Sequence, residues 1–254
     1  DVWAQQRFEF GYRDVRPSPL ILSFSGQPYV DVRASLNSFI PAALPDELAE
    51  RLATAYIDIL ATNPSYHDKI EFDVAFTVWT PDFYKNAIDR LTPYGLSAED
   101  IAKLEVTLKD ITCNALSRLG KDIAPIGRLR QRKNSIVSSN IPVIDKIFLL
   151  LDDCKRFGTL SFSHAARAGF VATTLLKSFV TSKILSEERR LEFMRSIKTV
   201  AGEFEESKYS HKLGRISIQD LVENYGHLRP GTYDICAQAY WEDPEKYFLT
   251  SGEN

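Results

Sequence analysis

The densest run of ionisable side chains in this sequence is Tyr225-Gly226-His227-Leu228-Arg229-Pro230-Gly231-Thr232-Tyr233-Asp234-Ile235. A histidine that titrates near neutrality, a guanidinium fork, a phenol and a carboxylate can together orient an anionic or polar ligand. His227, Arg229, Tyr233 and Asp234 are the candidate site residues of this loop. The same spacing also suits a plain salt bridge between Arg229 and Asp234 that ties two turns together. A second set is Asp31, Arg33, Glu71 and Asp73, which alternate with apolar residues in YVDVRASL and KIEFDVAFTVW. On neighbouring strands they would form one mixed-charge face suited to a zwitterionic ligand, although half-exposed antiparallel sheets commonly carry charge on the wet side. The short basic cluster Arg128, Arg130, Arg132 and Lys133 reads as a solvated face, His164 as a ligand-facing or structural histidine, and His211 as exposed.

The elements that must position these residues follow from periodicity. Residues 1–16 predict a helix ending near Gly11. LILSF and YVDVRASL bracket Ser25-Gly26-Gln27-Pro28 as a hairpin, and residues 69–79 alternate as a third strand. A helix from Pro45 ends before Asn63-Pro64. From about residue 81 the pattern is helical. Ser97 with Asp100 and Ser217 with Asp220 are capping boxes, the first helix closing at Gly120 and the second at a left-handed Gly226. Pro142 opens an apolar helix, ending near Gly158, whose width predicts a central position. Residues 161–183, rich in small side chains around Arg167, predict a helix that permits close approach. Leu191, Met194, Ile197 and Ala201 form one helical stripe, followed by a polar stretch, GEFEESKYSHKLGR. The fold class expected is α+β, predominantly helical, with a small antiparallel sheet near the N-terminus and a multi-helix bundle after it. We expect a single domain over 1–254, with a sheet-containing part (1–80) and a helical part (81–254).

A chain of 254 residues with 44% hydrophobic and 26% charged content is long enough to bury a core without disulfides or metal. Its net charge of -3, with the two signs interleaved, argues against a nucleic-acid surface. Three widely spaced cysteines, Cys113, Cys154 and Cys236, support neither a disulfide framework nor a zinc site and fit a reducing cytoplasm. No apolar run approaches a membrane span. The chain begins at Asp1 and has a single methionine, Met194, so it reads as a piece of a longer protein. It contains no glycine-rich phosphate loop, no HExxH and no GxSxG. A free-standing acid/base hydrolase using His227 with Asp234, or Glu71 with Asp73, therefore has no supporting nucleophile motif.

Five blocks carry a resemblance: WAQQRFEFGYRDVR, GQPYVDVRASLNSF, HDKIEFDVAFT, GTLSFSHAARAGF and, most specifically, YGHLRPGTYDI with WEDPEKYF after it. In this order they resemble the middle region of phosphoenolpyruvate-synthase-like phosphotransferases. The nearest type is the L-glutamine kinase of capsule phosphoramidate biosynthesis, and rifampin phosphotransferase is a more distant cousin. The resemblance implies an acceptor-binding domain set between an ATP-grasp domain and a swivelling domain with a phosphorylated histidine. ATP and Mg would be cofactors of the full-length enzyme and none would be held by this piece. Its partners would be a small-molecule acceptor and those two domains, with neither nucleic acid nor membrane. The swivelling domain's TxGGxxxH-like segment is missing here, so no histidine of this chain, His227 included, takes the phosphocarrier role.

On that reading Arg33 and Arg229 would pair with a carboxylate or the travelling phosphate. Asp31, Glu71 and Asp73 would hold an ammonium or amide, and His227 with Asp234 would orient or deprotonate the accepting atom. The alternative expectation is a non-catalytic docking domain that links the ATP-grasp and phosphohistidine domains and uses the same residues as braces.

Overall fold

The computed structural model describes residues 2–231, 234 and 236–249. It is predominantly helical, with twelve α-helices and a two-stranded antiparallel sheet among the described residues. The chain divides into two compact units, residues 1–186 and 187–254, so the break in packing falls after Ser186 and not near residue 80.

In the first unit, helix α1 (Val2–Phe10) stops at Gly11, whose φ of +116° is open to glycine and strained for other residues. Strands β1 (Ile21–Phe24) and β2 (Gln27–Val30) pair with Ile21 opposite Val30. They turn through Ser25 and Gly26, both at positive φ, which matches the twist of a two-residue hairpin. The second strand is shorter than predicted. The Asp31 carboxylate accepts from the Ala34 amide at 2.8 Å and turns the chain into helix α2 (Val32–Asn37), so Arg33 lies on a helix and not on a strand.

Helices α3 (Asp46–Thr62), α4 (Phe83–Leu91) and α5 (Ala98–Ser117) then enclose the core. Leu36, Phe39, Leu52, Tyr56, Phe83, Leu91, Ile101, Leu104 and Leu108 are all buried there, each large apolar side chain contributing about 1.5–3 kcal/mol. The predicted third strand is absent. Ile70–Val74 is a π-helical turn and the following residues run unpaired, with the Phe76 amide donating to the buried Tyr56 hydroxyl at 3.1 Å.

Helices α6 (Leu119–Ile123) and α7 (Pro125–Ser138) continue the chain; Gly120 is inside α6 and does not end α5. Helix α8 (Val143–Asp153) is followed by a second π-helical turn, Cys154–Gly158, and by the long α9 (Thr159–Thr181). Helix α8 is not central: Val143, Ile144, Phe148 and Leu151 are exposed. Apolar width alone does not report position, because a helix stays apolar wherever it ends.

The second unit holds α10 (Glu187–Ser196), α11 (Val200–Lys212) and α12 (Ile218–Tyr225). The expected single stripe from Leu191 to Ala201 is split between α10 and α11, and the expected polar stretch is largely the body of α11, capped by Thr199 on Gly202. Phe204 packs edge-on to Tyr225 at 4.9 Å and against Phe248, a small aromatic core. Both predicted capping boxes are present, at Ser97 with Asp100 and at Ser217 with Asp220. No helix among the described residues is long and apolar enough to cross a membrane.

Candidate functional site

Two helices of the first unit, α1 and α9, carry a pair of buried arginines, and the first of them lines a pocket. Arg7 on α1 is 7% exposed and Arg167 on α9 is 3% exposed. Burying two guanidiniums is unfavourable unless each finds acceptors and a counter-charge. The acceptors are here. Arg7 Nη1 donates to Ser38 Oγ and, at 3.4 Å, to the Ser35 carbonyl, both supplied by the α2 region. Its guanidinium carbon lies 3.7 Å from the centroid of the Phe39 ring. Arg167 Nη1 donates to Glu71, and Nη2 donates to the Tyr12 hydroxyl at 2.9 Å. Tyr12 in turn donates to the Thr77 carbonyl at 2.7 Å.

The counter-charge is shared. Glu71, held by the Ile70–Val74 π turn, bonds Arg167 and stands 3.8 Å from Arg7 Nη2, beyond hydrogen-bonding reach. Two cations therefore rest on one carboxylate. Burial lowers the Arg7 pKa to about 10, with Glu71 opposing the shift and Arg167 adding to it. Burial works against the Arg167 charge too, but Tyr12 and Glu71 more than offset it and hold its pKa above the ordinary value. Burial raises the Tyr12 pKa, so the phenol is neutral and adds no anion.

Arg7 and Glu71 open on a pocket of about 560 Å³, within the span of small-molecule sites. Its walls are mostly apolar: Trp3 from α1, Tyr29 and Val32 around the hairpin, Leu60 from α3, Phe72 from the π turn and Phe170 from α9. Phe72 and Phe170 meet edge to face at 5.7 Å, and both stay 43% exposed. His67 and Asp68 stand exposed at the rim.

Of the described residues singled out in the sequence, only Glu71 lines this pocket. The shared sheet face expected for Asp31, Arg33, Glu71 and Asp73 does not form, because Asp31 caps the helix Val32–Asn37 and Ile70–Val74 is a π turn. Asp31 is the α2 cap and, with Arg33, lines a separate pocket of about 440 Å³ beside Arg13 and Asp14. Asp73 lines a third pocket of about 280 Å³, with Asp82, Arg90 and Lys177; Glu71 and Phe72 form part of its wall as well.

The motif loop lies in the second unit. Gly226 ends α12 in right-handed, not left-handed, geometry at φ -58°. Glycine is required for space: a Cβ would stand 2.4 Å from the Val222 carbonyl oxygen and 3.1 Å from Trp241 Cβ. His227 is exposed, Arg229 Nε donates to the Ala237 carbonyl at 2.9 Å, and Asp234 accepts from the Cys236 amide at 2.8 Å. Tyr233 lies outside the described residues. His211 is half-buried, with Nδ1 3.0 Å from the Ile216 carbonyl oxygen, where exposure was expected. Arg128, Arg130 and Lys133 are solvated on α7, and Arg132 pairs with Asp153.

A second buried cluster in the first unit joins Glu9, Arg118, Asp122 and His164. The three donors Glu9, Asp122 and His164 lie close enough together to suggest a metal. They do not fit one, because Arg118 already binds both Asp122 oxygens at 2.7 and 2.9 Å and Glu9 Oε2 at 2.7 Å. A guanidinium occupies the cation's place. His164 Nε2 is 3.2 Å from Glu9 but misaligned for a hydrogen bond. Burial, opposed by Asp122, lowers its pKa below the ordinary histidine value.

The sequence reading missed Arg7, Tyr12 and the aromatic walls. A usable signal exists for Arg167: a lone arginine among Ala165, Ala166, Ala168 and Gly169 must lie where a small-residue helix packs closely. No protein-family model matches this chain, and no curated protein or solved structure matches it significantly.

Proposed function

We propose that this chain is the small-molecule acceptor-binding domain of an ATP-dependent phosphotransferase that works through a phosphohistidine on a separate swivelling domain. The observation that carries the reading is convergence. Four of the five blocks that resemble the phosphoenolpyruvate-synthase-like enzymes supply the pocket: residues 3–16, 26–39, 67–77 and 158–170 contribute Trp3, Arg7, Tyr29, Phe39, Glu71 and Phe170 among others. Leu60 is the single lining residue from outside them.

On this proposal the chain contributes binding and orientation, and the chemistry arrives with the phosphohistidine. ATP and Mg belong to the neighbouring ATP-grasp domain, in a cytoplasmic enzyme. One phosphoryl group passes to the acceptor and the other to water, leaving AMP and phosphate. L-glutamine is the first acceptor to try, on the resemblance.

The test extends the coding frame on both sides of residues 1–254 and assays the encoded parent protein for acceptor-dependent release of AMP and phosphate from ATP. An ATP-grasp region, a histidine-bearing domain and stimulation by at least one acceptor are expected. Stop codons close to both ends, or ATP turnover indifferent to every acceptor, sinks the proposal.

A further inference from the structure

We infer that the pocket above Arg7 selects an amphipathic carboxylate, a ligand whose anionic group meets the Arg7 guanidinium while its apolar, ring-sized body lies against Phe72 and Phe170. The inference rests on the small-molecule-binding reading and adds the chemical class of the ligand.

Charge is the first argument. Arg7 and Arg167 share the single carboxylate of Glu71, which leaves one positive charge in excess beneath the pocket. A ligand anion removes that excess, and the depressed Arg7 pKa is the mark of a cation short of stabilisation. Geometry is the second. Arg7 Nη1 is committed to Ser35 and Ser38, and the Phe39 ring underneath fixes the plane of the fork. Nη2 has only the 3.8 Å approach to Glu71 and Nε has no hydrogen-bond partner among the described residues, so this edge of the fork is left for a carboxylate.

The walls give the third argument. Trp3, Tyr29, Phe72 and Phe170 each keep more than two-fifths of their surface exposed around one cavity. Covering those faces with an apolar body is favourable in proportion to the area removed from water. A free amino acid fits less well. Its ammonium would need Glu71, which already serves both arginines, or Asp68, which is solvated at the rim.

The test titrates the chain by calorimetry with indole-3-acetate, its neutral isostere indole-3-acetamide, and L-glutamine, at low salt. The acid is expected to bind at least tenfold more tightly than the amide and more tightly than L-glutamine. Arg7→Lys, which keeps the charge but loses the fork, is expected to reduce the acid-over-amide ratio to threefold or less. Phe170→Ala, at an exposed wall position, is expected to weaken both indoles by a similar factor and leave their ratio intact. If Arg7→Lys does not fold, the acid-to-amide ratio in the unsubstituted chain and in Phe170→Ala decides alone. Equal binding of acid and amide, or no binding of either, overturns the inference. Binding of L-glutamine alone overturns it too, while leaving the acceptor reading in place. Acid binding in a parent protein that transfers no phosphoryl group supports the inference and removes the phosphotransferase reading.

Discussion

Helices α1 and α9 frame two buried polar clusters, and the pair differ in how their charges are disposed. Around Arg118, the guanidinium is fully engaged: three bonds of 2.7–2.9 Å run to Glu9 and Asp122, and a fourth reaches the Glu9 carbonyl. Its ring of partners is closed, Phe10 covers it at 4.5 Å, and none of the pockets described above reaches it. Around Arg7, neither Nε nor Nη2 has a hydrogen-bond partner among the described residues, and a pocket opens beside the guanidinium. Both clusters draw on α1 and α9 and set arginine against carboxylate. A buried arginine is therefore a brace where its fork is filled, and a binding group where the fork is left incomplete next to space.

The largest expected effect breaks the closed cluster. Arg118→Ala leaves Glu9 and Asp122 without their cation and should cost about 3–5 kcal/mol of stability. In calorimetric melting this is on the order of a 10 °C loss. A drop of a degree or two would show that Arg118 is not the brace.

A smaller effect comes from His164 in the same cluster. Its folded pKa is depressed by burial, so the unfolded chain takes up the proton first. Its contribution to stability is full above the unfolded value near 6.5 and is lost as pH falls through that value toward the lower folded pKa. The slope from this one group is at most about 1.4 kcal/mol per pH unit. His164→Asn should flatten the pH dependence of melting between pH 7.5 and 5.5. Rising stability on acidification would mean instead that His164 is held charged by Glu9 and Asp122.

The smallest effect sharpens the open cluster. Asp31→Ala removes the cap of α2, whose end supplies Ser35 and Ser38 to Arg7, and should cost about 1 kcal/mol. Binding of indole-3-acetate should change less than twofold. A loss of tenfold would restore Asp31 to the binding residues.

The helices were legible in the sequence wherever a cap and a 3.6-residue pattern agreed, as at Ser97 with Asp100 and Ser217 with Asp220. The failures came where period-two alternation stood without a strand partner. In KIEFDVAFTVW the alternating apolar residues are real, but the backbone coils in a π turn that directs Glu71 to the two arginines. In YVDVRASL the aspartate that looked like a strand's wet face is a helix cap. Glu71 was legible as a charged residue in an apolar run. Arg167 left the trace of a lone arginine on a small-residue helix, but Arg7 left none, because its role arises from a juxtaposition of elements far apart in the chain, which no local pattern encodes.

The distances in sequence have a consequence for the timing of assembly. Glu71 meets Arg167 across 96 residues, and Tyr12 meets it across 155. During synthesis at about 5–20 residues per second, Glu71 leaves the ribosome roughly 5–20 s before its partner. The N-terminal segments thus wait with their carboxylate and their aromatic faces in water until α9 is made. The pocket is among the last features of the first unit to exist, and any product truncated before Arg167 lacks both that partner of Glu71 and the Phe170 wall.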